Sequence, residues 1–210
     1  WEAFRARIER DGLQSVQGVS SETRSVRKDG SQILLRNTIS PVEIDDEPQI
    51  VCLCTDVTEQ RANEAKARRA DALRQAIVNS APFCIISTDT EGTITGINPA
   101  GEALLGYSKE ELVGKQSPTI LHLPDEVLAR SQELSAELGR PLNTPFEVFV
   151  AKADLGVIEQ REWLYLRKDG STVPVQLTVS PLKDAEGRLT GYLGVASDVT
   201  ERKRTDEFIR

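Results

Sequence analysis

Apolar and polar positions alternate over short runs in the second half of the chain, and that period of two predicts strands. Residues 83–88 form an apolar run and residues 93–97 alternate, with the turn residues Asp89-Thr90-Glu91-Gly92 between them, so the two predict a hairpin. Residues 158–166, then Val173, Val175, Leu177 and Val179, then residues 189–197 predict three further strands, joined by Lys168-Asp169-Gly170 and Asp184-Ala185-Glu186-Gly187. Between the hairpin and this trio the pattern turns helical. Asn98-Pro99 is an Asn cap followed by Pro in the first turn, and Gly106 stops that helix. Ser108 and Glu111 form a capping box for a short helix closed by Gly114. Pro124-Asp125 opens a longer helix carrying Val127, Leu128, Leu134 and Leu138, and Thr144 with Glu147 opens one that ends near Gly156. Two strands, several short helices and three antiparallel strands make an α+β fold, with one sheet and its helices on one side.

The three-strand pattern occurs twice. Arg27-Lys28-Asp29-Gly30-Ser31 returns as residues 167–171, Ser40-Pro41 as Ser180-Pro181, and Asp56-Val57-Thr58-Glu59 as residues 198–201. Upstream, Trp1-Glu2-Ala3-Phe4 resembles Phe146-Glu147-Val148-Phe149. Residues 1–60 therefore repeat the rear of the second unit, and the stretch from about 75 to 145 has no earlier counterpart. The expected organisation is a partial first unit over 1–60, a helical linker over 61–78, a complete second unit over 79–201 and the start of an exit helix over 202–210. The partial unit predicts an unpaired sheet edge and an open core, completed by residues outside the chain, a partner chain or a swap, with missing residues the favoured account. Trp1-Glu2-Ala3-Phe4-Arg5 is neither a signal peptide nor a natural start, which predicts a chain that begins inside something larger.

Charge and composition narrow the chemistry. Of 210 residues, 26 are Lys or Arg and 33 are Asp or Glu, a formal charge of −7 that disfavours nucleic acid as a partner. The charged fraction of 28% and apolar fraction of 39% suit a folded soluble domain, and no apolar run is long enough to span a bilayer. Three cysteines fit no disulfide framework, which predicts a reducing, cytoplasmic setting. Cys52 and Cys54, two apart on a strand, face one side, and the expectation for all three is small buried residues. One histidine, His122, leaves no His pair for catalytic zinc, and four scattered Cys and His predict no metal site. There is no nucleophile elbow, phosphate loop or dinucleotide fingerprint, so no catalytic residue is predicted. Asp45-Asp46-Glu47 reads as a solvated turn, and residues 134–142, superficially like a phosphoacceptor box, have Ala136 where an imidazole would be needed.

Residues 59–78 are Ala-rich with mixed charge and no Gly or Pro, which predicts a continuous helix. Its stripe of Ala62, Ala65, Ala72, Leu73, Ala76 and Ile77 predicts a weak, register-tolerant self-association. Asp-Val-Thr-Glu precedes both charged helices. The expectation is that Thr58 and Thr200 cap them, that Glu59 and Glu201 suit their positive ends, and that Asp56 and Asp198 pair with a basic residue one turn on.

Asn79-Ser80-Ala81-Pro82, Thr88-Asp89-Thr90-Glu91-Gly92, Asn98-Pro99-Ala100, residues 105–114 and 161–171, and Asp198-Val199-Thr200-Glu201-Arg202 follow one another over about 125 residues. In that order they resemble the PAS (Per-Arnt-Sim) sensor domain family. The first unit resembles only the rear of such a domain, with Thr23 where the second has Trp163. The resemblance implies a five-stranded sheet and helical flank around a cavity, and a regulatory input module of bacterial histidine kinases or cyclic-di-GMP enzymes. It implies ligand binding or dimer relay, with a ligand-free dimerisation module or a haem or flavin redox sensor as the alternatives. Where photoactive flavin domains carry a Cys, residues 114–118 have none, and His122 before Pro124 reads as a capping or partly buried loop residue rather than a haem ligand. The expected cofactor is none or a small metabolite. Candidate pocket residues are Ile86, Asn98, Leu104, His122, Trp163 and Leu177, with Asp56, Thr58, Glu59, Asp198, Thr200 and Glu201 as the signal exit. Expected partners are a second copy through the linker helices and an output domain of the same polypeptide.

Overall fold

The computed structural model describes residues 6, 10–12, 15, 18–44 and 47–208, and within it the chain divides into two compact units, residues 1–73 and 74–210. In the first unit β1 (Val19–Val26), β2 (Gln32–Ile44) and β3 (Glu47–Asp56) form an antiparallel sheet in the order β1-β2-β3. Helix α1 (Thr58–Ser80) then runs across the division between the units. In the second unit follow β4 (Cys84–Thr88), β5 (Ile94–Ile97), α2 (Pro99–Leu105), α3 (Lys109–Leu112), a 3-10 turn (Pro118–Leu121), α4 (Pro124–Leu138) and α5 (Glu147–Asp154). The unit closes with β6 (Gln160–Leu166), β7 (Thr172–Lys183) and β8 (Leu189–Asp198), and α6 (Thr200–Phe208) leaves it. The five strands are ordered β5-β4-β8-β7-β6, every pair antiparallel, so the hairpin and the trio share one α+β sheet.

Local chemistry sets these boundaries. Asn98 accepts from Gly101 N–H as the cap of α2, and Gly106 ends it at φ +76°. Ser108 and Glu111 make the reciprocal capping box of α3. At α5 the box is only half made: Thr144 Oγ1 accepts from Glu147 N–H at 3.2 Å, while the Glu147 carboxylate accepts from Asn143 N–H at 2.6 Å. The period of two appears as alternating burial. Cys84, Ile86 and Thr88 of β4 point inward, as do Trp163 and Tyr165 of β6 and Val173, Val175 and Leu177 of β7. They pack against Leu105, Leu112, Leu121, Leu134 and Val148 of the helical layer, all buried.

Among the described residues, the first unit repeats the ladder without that layer. Thr23 pairs Leu35 as Trp163 pairs Val175, and Leu35 pairs Asp56 as Val175 pairs Asp198. Among the described residues nothing pairs with the outer edge of β3, and Ile50 to Asp56 are exposed throughout. This corrects the expectation for two cysteines. Cys84 is buried, but Cys52 and Cys54 are exposed, because no described helix covers their face of the sheet. Asp45 and Asp46, and the Trp1–Phe4 counterpart of α5, lie outside the described residues. Helix α1 starts at Thr58, three residues before the predicted linker, because Asp56 caps it.

Candidate functional site

Pro124 restricts Leu123 to extended backbone, and His122 before it is extended too (φ −122°, ψ 149°). An isolated antiparallel bridge ties His122 to Tyr165 on β6. This short extended link between the 3-10 turn and α4 drives the imidazole into the core. Its ring lies 4.2 Å from that of Phe149, and 4.8 Å edge-on from both Trp163 and Tyr165. His122 is therefore a buried core residue and not the partly buried loop residue expected; its exposure is 3%. Burial alone pushes its pKa down to about 3, so the ring is neutral at pH 7 and offers one donor and one acceptor nitrogen.

His122 Nδ1 is buried with no hydrogen-bond partner, and so is Thr88 Oγ1 at the end of β4. Such atoms cost about 1–3 kcal/mol each when left unpaired. Both residues line the same cavity, of about 30 Å³, enough for one or two waters. Ile86, Leu177, Val179, Tyr192 and Gly194 line it from the sheet, and Phe146 and Phe149 from the start of α5. No lining residue is charged. The Tyr192 hydroxyl donates to Asp154 Oδ1 at 2.6 Å, and Phe146 stands edge-on to its ring at 5.7 Å. Gly92, at φ +91°, makes room for Phe146, since a Cβ there would lie 2.6 Å from the ring. His122 also lines an outer groove of about 440 Å³ with Pro124, Val127, Leu142 and Val148.

Of the six predicted pocket residues, Ile86, His122 and Leu177 line this cavity. Asn98 is buried elsewhere as a structural bracket. Its Oδ1 accepts from Ile85 N–H (2.9 Å) and Gly101 N–H (3.0 Å), and its Nδ2 donates to Val78 O (3.1 Å) and Phe83 O (2.8 Å). Leu104 is half-buried at the surface, its carbonyl accepting from Arg167 Nε at 2.9 Å. Trp163 backs His122 but faces a second small cavity beside Arg130, which Glu159 holds at 2.7 Å. Sequence reasoning missed Thr88, Phe146, Phe149, Tyr192 and Gly194. Thr88 had a signal, as the one polar residue in phase with Cys84 and Ile86.

Both helices leave the sheet through one device. Asp198 Oδ1 accepts from Thr200 N–H at 2.7 Å, and Asp56 Oδ1 from Thr58 N–H at 3.0 Å. The intervening Val199 and Val57 are buried and donate their N–H groups to Pro174 O and Leu34 O. One turn on, Lys203 pairs with Glu162 at 2.7 Å and Arg61 with Glu22 at 2.6 Å. The expected roles are thus exchanged: the Asp caps, and a Glu of the first strand takes the basic residue. The cause is position, since each Thr is already the first helical residue. The Thr58 hydroxyl instead donates to Asp56 Oδ1 (2.6 Å) and accepts from Leu34 N–H (2.8 Å). Asp56 also pairs with Arg27, and its carboxyl is held below the usual range, foremost by the Thr58 hydroxyl. Glu59 and Glu201 lie exposed in the first turns.

The pattern of the PAS domain family matches residues 2–59 and 81–201. The C4-dicarboxylate transport sensor protein DctS of Rhodobacter capsulatus is 30% identical over 164 residues, which are 77% of this chain and 22% of that protein. The oxygen sensor protein DosP of Escherichia coli K12 is 25% identical over 196 residues, 92% of this chain and 22% of that protein. The chain thus spans about a fifth of the length of either relative. The crystal structure of a PAS domain from Colwellia psychrerythraea superposes with a TM-score of 0.50 at 24% identity, covering 62% of this chain and 97% of that one, a likeness of fold.

Proposed function

The chain belongs to the PAS domain family, and on that premise we propose that it is the sensory module of a bacterial signal-transduction protein, a histidine kinase or a cyclic-di-GMP enzyme. The second unit takes a small neutral ligand into its cavity. The observation that carries this reading is that two residues lining one cavity, His122 and Thr88, each hold a buried, unpartnered polar atom, Nδ1 and Oγ1. A neutral imidazole and a hydroxyl, with no charged residue in the lining, suit a ligand that both donates and accepts hydrogen bonds, and disfavour an anion. Haem or flavin does not fit the cavity as packed, which is a small fraction of either ring system.

The route out follows β8, which supplies Tyr192 and Gly194 to the cavity and ends at Asp198, the cap of α6. A ligand that shifts β8 moves the start of the helix with it. The module has no catalytic residue of its own and drives an output domain of the same polypeptide, in the cytoplasm. It works as a homodimer through its helices; α1 buries none of its residues and exposes Leu73, Ile77 and Val78. Among the described residues no helix is long and apolar enough to cross a membrane.

A second reading, a ligand-free dimerisation module, is favoured by the small cavity volume. Native mass spectrometry against the denatured mass separates the two. Extra mass that leaves on denaturation and is absent from Thr88→Val and His122→Phe supports the ligand. Equal masses from a clean dimer overturn it in favour of relay through the helices.

A further inference from the structure

The first unit carries distinct chemistry on the face that builds the cavity wall of the second. Ile39 faces Cys52 where Val179 faces Gly194, and Asn37 faces Cys54 where Leu177 faces Ala196. Gly194 lines the second unit's cavity, and Ala196 is buried in its core. Cys52 and Cys54 therefore place two thiols where the repeat has a hydrogen and a methyl group. Their Sγ atoms are 3.6 Å apart, and both residues are exposed. The surroundings are polar as well, since Asn37 Nδ2 donates to Thr23 Oγ1 at 2.8 Å where the second unit has Leu177 and Trp163.

We infer that Cys52 and Cys54 form a bidentate site for a thiophilic metal ion of the zinc and cadmium class. A tetrahedral ion with bonds of about 2.3 Å to sulfur holds two sulfurs about 3.8 Å apart, so the observed 3.6 Å already meets the bite. A disulfide fits less well. It needs sulfurs about 2.0 Å apart and Cβ atoms about 3.8 Å apart. Same-face neighbours on one strand have Cα atoms about 6.6 Å apart, near the upper limit for a bridge, so β3 would have to buckle to form one. Chelation needs no backbone movement. Each thiol releases its proton to solvent as its sulfur takes the metal, so two S–H bonds break, two metal–sulfur bonds form and nothing is oxidised. Among the described residues no third His, Cys, Asp or Glu completes a cluster, so water takes the remaining corners. Soft thiolates select such ions over magnesium or calcium.

The test is a cadmium titration of the reduced full chain, read as thiolate-to-metal charge-transfer absorbance, with zinc in competition. The expected result is a band that saturates at one ion per chain, is displaced by zinc, disappears in Cys52→Ser and in Cys54→Ser, and persists in Cys84→Ser. Exposed Cys→Ser changes leave the circular dichroism unchanged, which separates lost ligation from lost folding. One ion per two chains, with both Ser variants silent, supports the same ligands with a second copy supplying the other corners. No band, or a band that survives either substitution, overturns the site. So does a chain that loses two hydrogens in air and then takes no cadmium, which makes the pair a disulfide.

Discussion

A buried neutral imidazole makes stability depend on pH in a defined direction. His122 titrates near 3 in the folded chain and near 6.5 when unfolded. Between those values the unfolded state binds the extra proton, so stability falls as pH drops through that window, by up to about 1.4 kcal/mol per unit. Carboxylates contribute their own loss, so the informative quantity is a difference between variants. Urea unfolding at pH 7 and pH 4.5 should cost the native chain about 2–3 kcal/mol more than His122→Phe. Equal losses would place the ring in contact with water. Gly194→Ala is the complementary probe. A Cβ there meets Leu177 at 3.6 Å, an ordinary contact, and enters the cavity. We expect it to change unfolding stability by less than about 1 kcal/mol while abolishing any bound mass seen in native spectra; retained ligand would put the binding site elsewhere. At this scale sequence was a partial guide. Ile86 and Leu177 were readable as inward-facing by period, whereas His122 sits in a short extended link with no period of its own, and its burial was not. Tyr192 shares that legibility, in phase with Ala196 on β8; Phe146 does not, because its place at the cavity depends on how α5 lies over the sheet, and no single element encodes that. Asn98 read equally well as a cap or a pocket residue, and its four hydrogen bonds commit it to the bracket.

At the scale of elements, the strand-to-helix junctions are the parts most open to single substitutions. Asp198→Ala removes the acceptor of Thr200 N–H, and an N-cap of this kind is worth about 1 kcal/mol. Amide exchange at residues 200–203 should then rise roughly five-fold, while exchange in β6 and β7 stays unchanged. Unaltered exchange at 200–203 would mean that the buried Val199 alone starts the helix. Glu162→Ala frees Lys203 at an exposed pair, and a smaller effect at the same amides is expected. The elements themselves were legible, because Asn-Pro, Ser-x-x-Glu and Lys-Asp-Gly are local signals whose caps and turns form within a few residues. The roles inside Asp-Val-Thr-Glu were not. They depend on where the helix starts relative to a sheet edge that supplies Leu34 N–H and Glu22 from distant sequence.

Across the whole molecule, two ladders share one register and differ in what covers them. In the second unit β4 and the helical layer complete the sheet, whereas the outer edge of β3 pairs with nothing among the described residues and Val51 and Leu53 are exposed. Such an edge recruits other strands. Leu53→Lys should therefore reduce self-association in light scattering without changing the circular dichroism, and no reduction would assign self-association to the helices. The repeat was visible from the paired Arg-Lys-Asp-Gly-Ser and Asp-Val-Thr-Glu motifs, and the uncovered edge followed from the missing counterpart of residues 75–145. The identical junctions also make the chain spliceable. Val57 and Val199 are buried alike, and Asp56 and Asp198 cap alike. Deleting residues 58–199 joins Val57 to Thr200 and sends α6 out of the first sheet in the rotational phase it has now. On the proposed reading, an output domain fused after α6 would then answer to the thiol-bearing unit in place of the imidazole-bearing one.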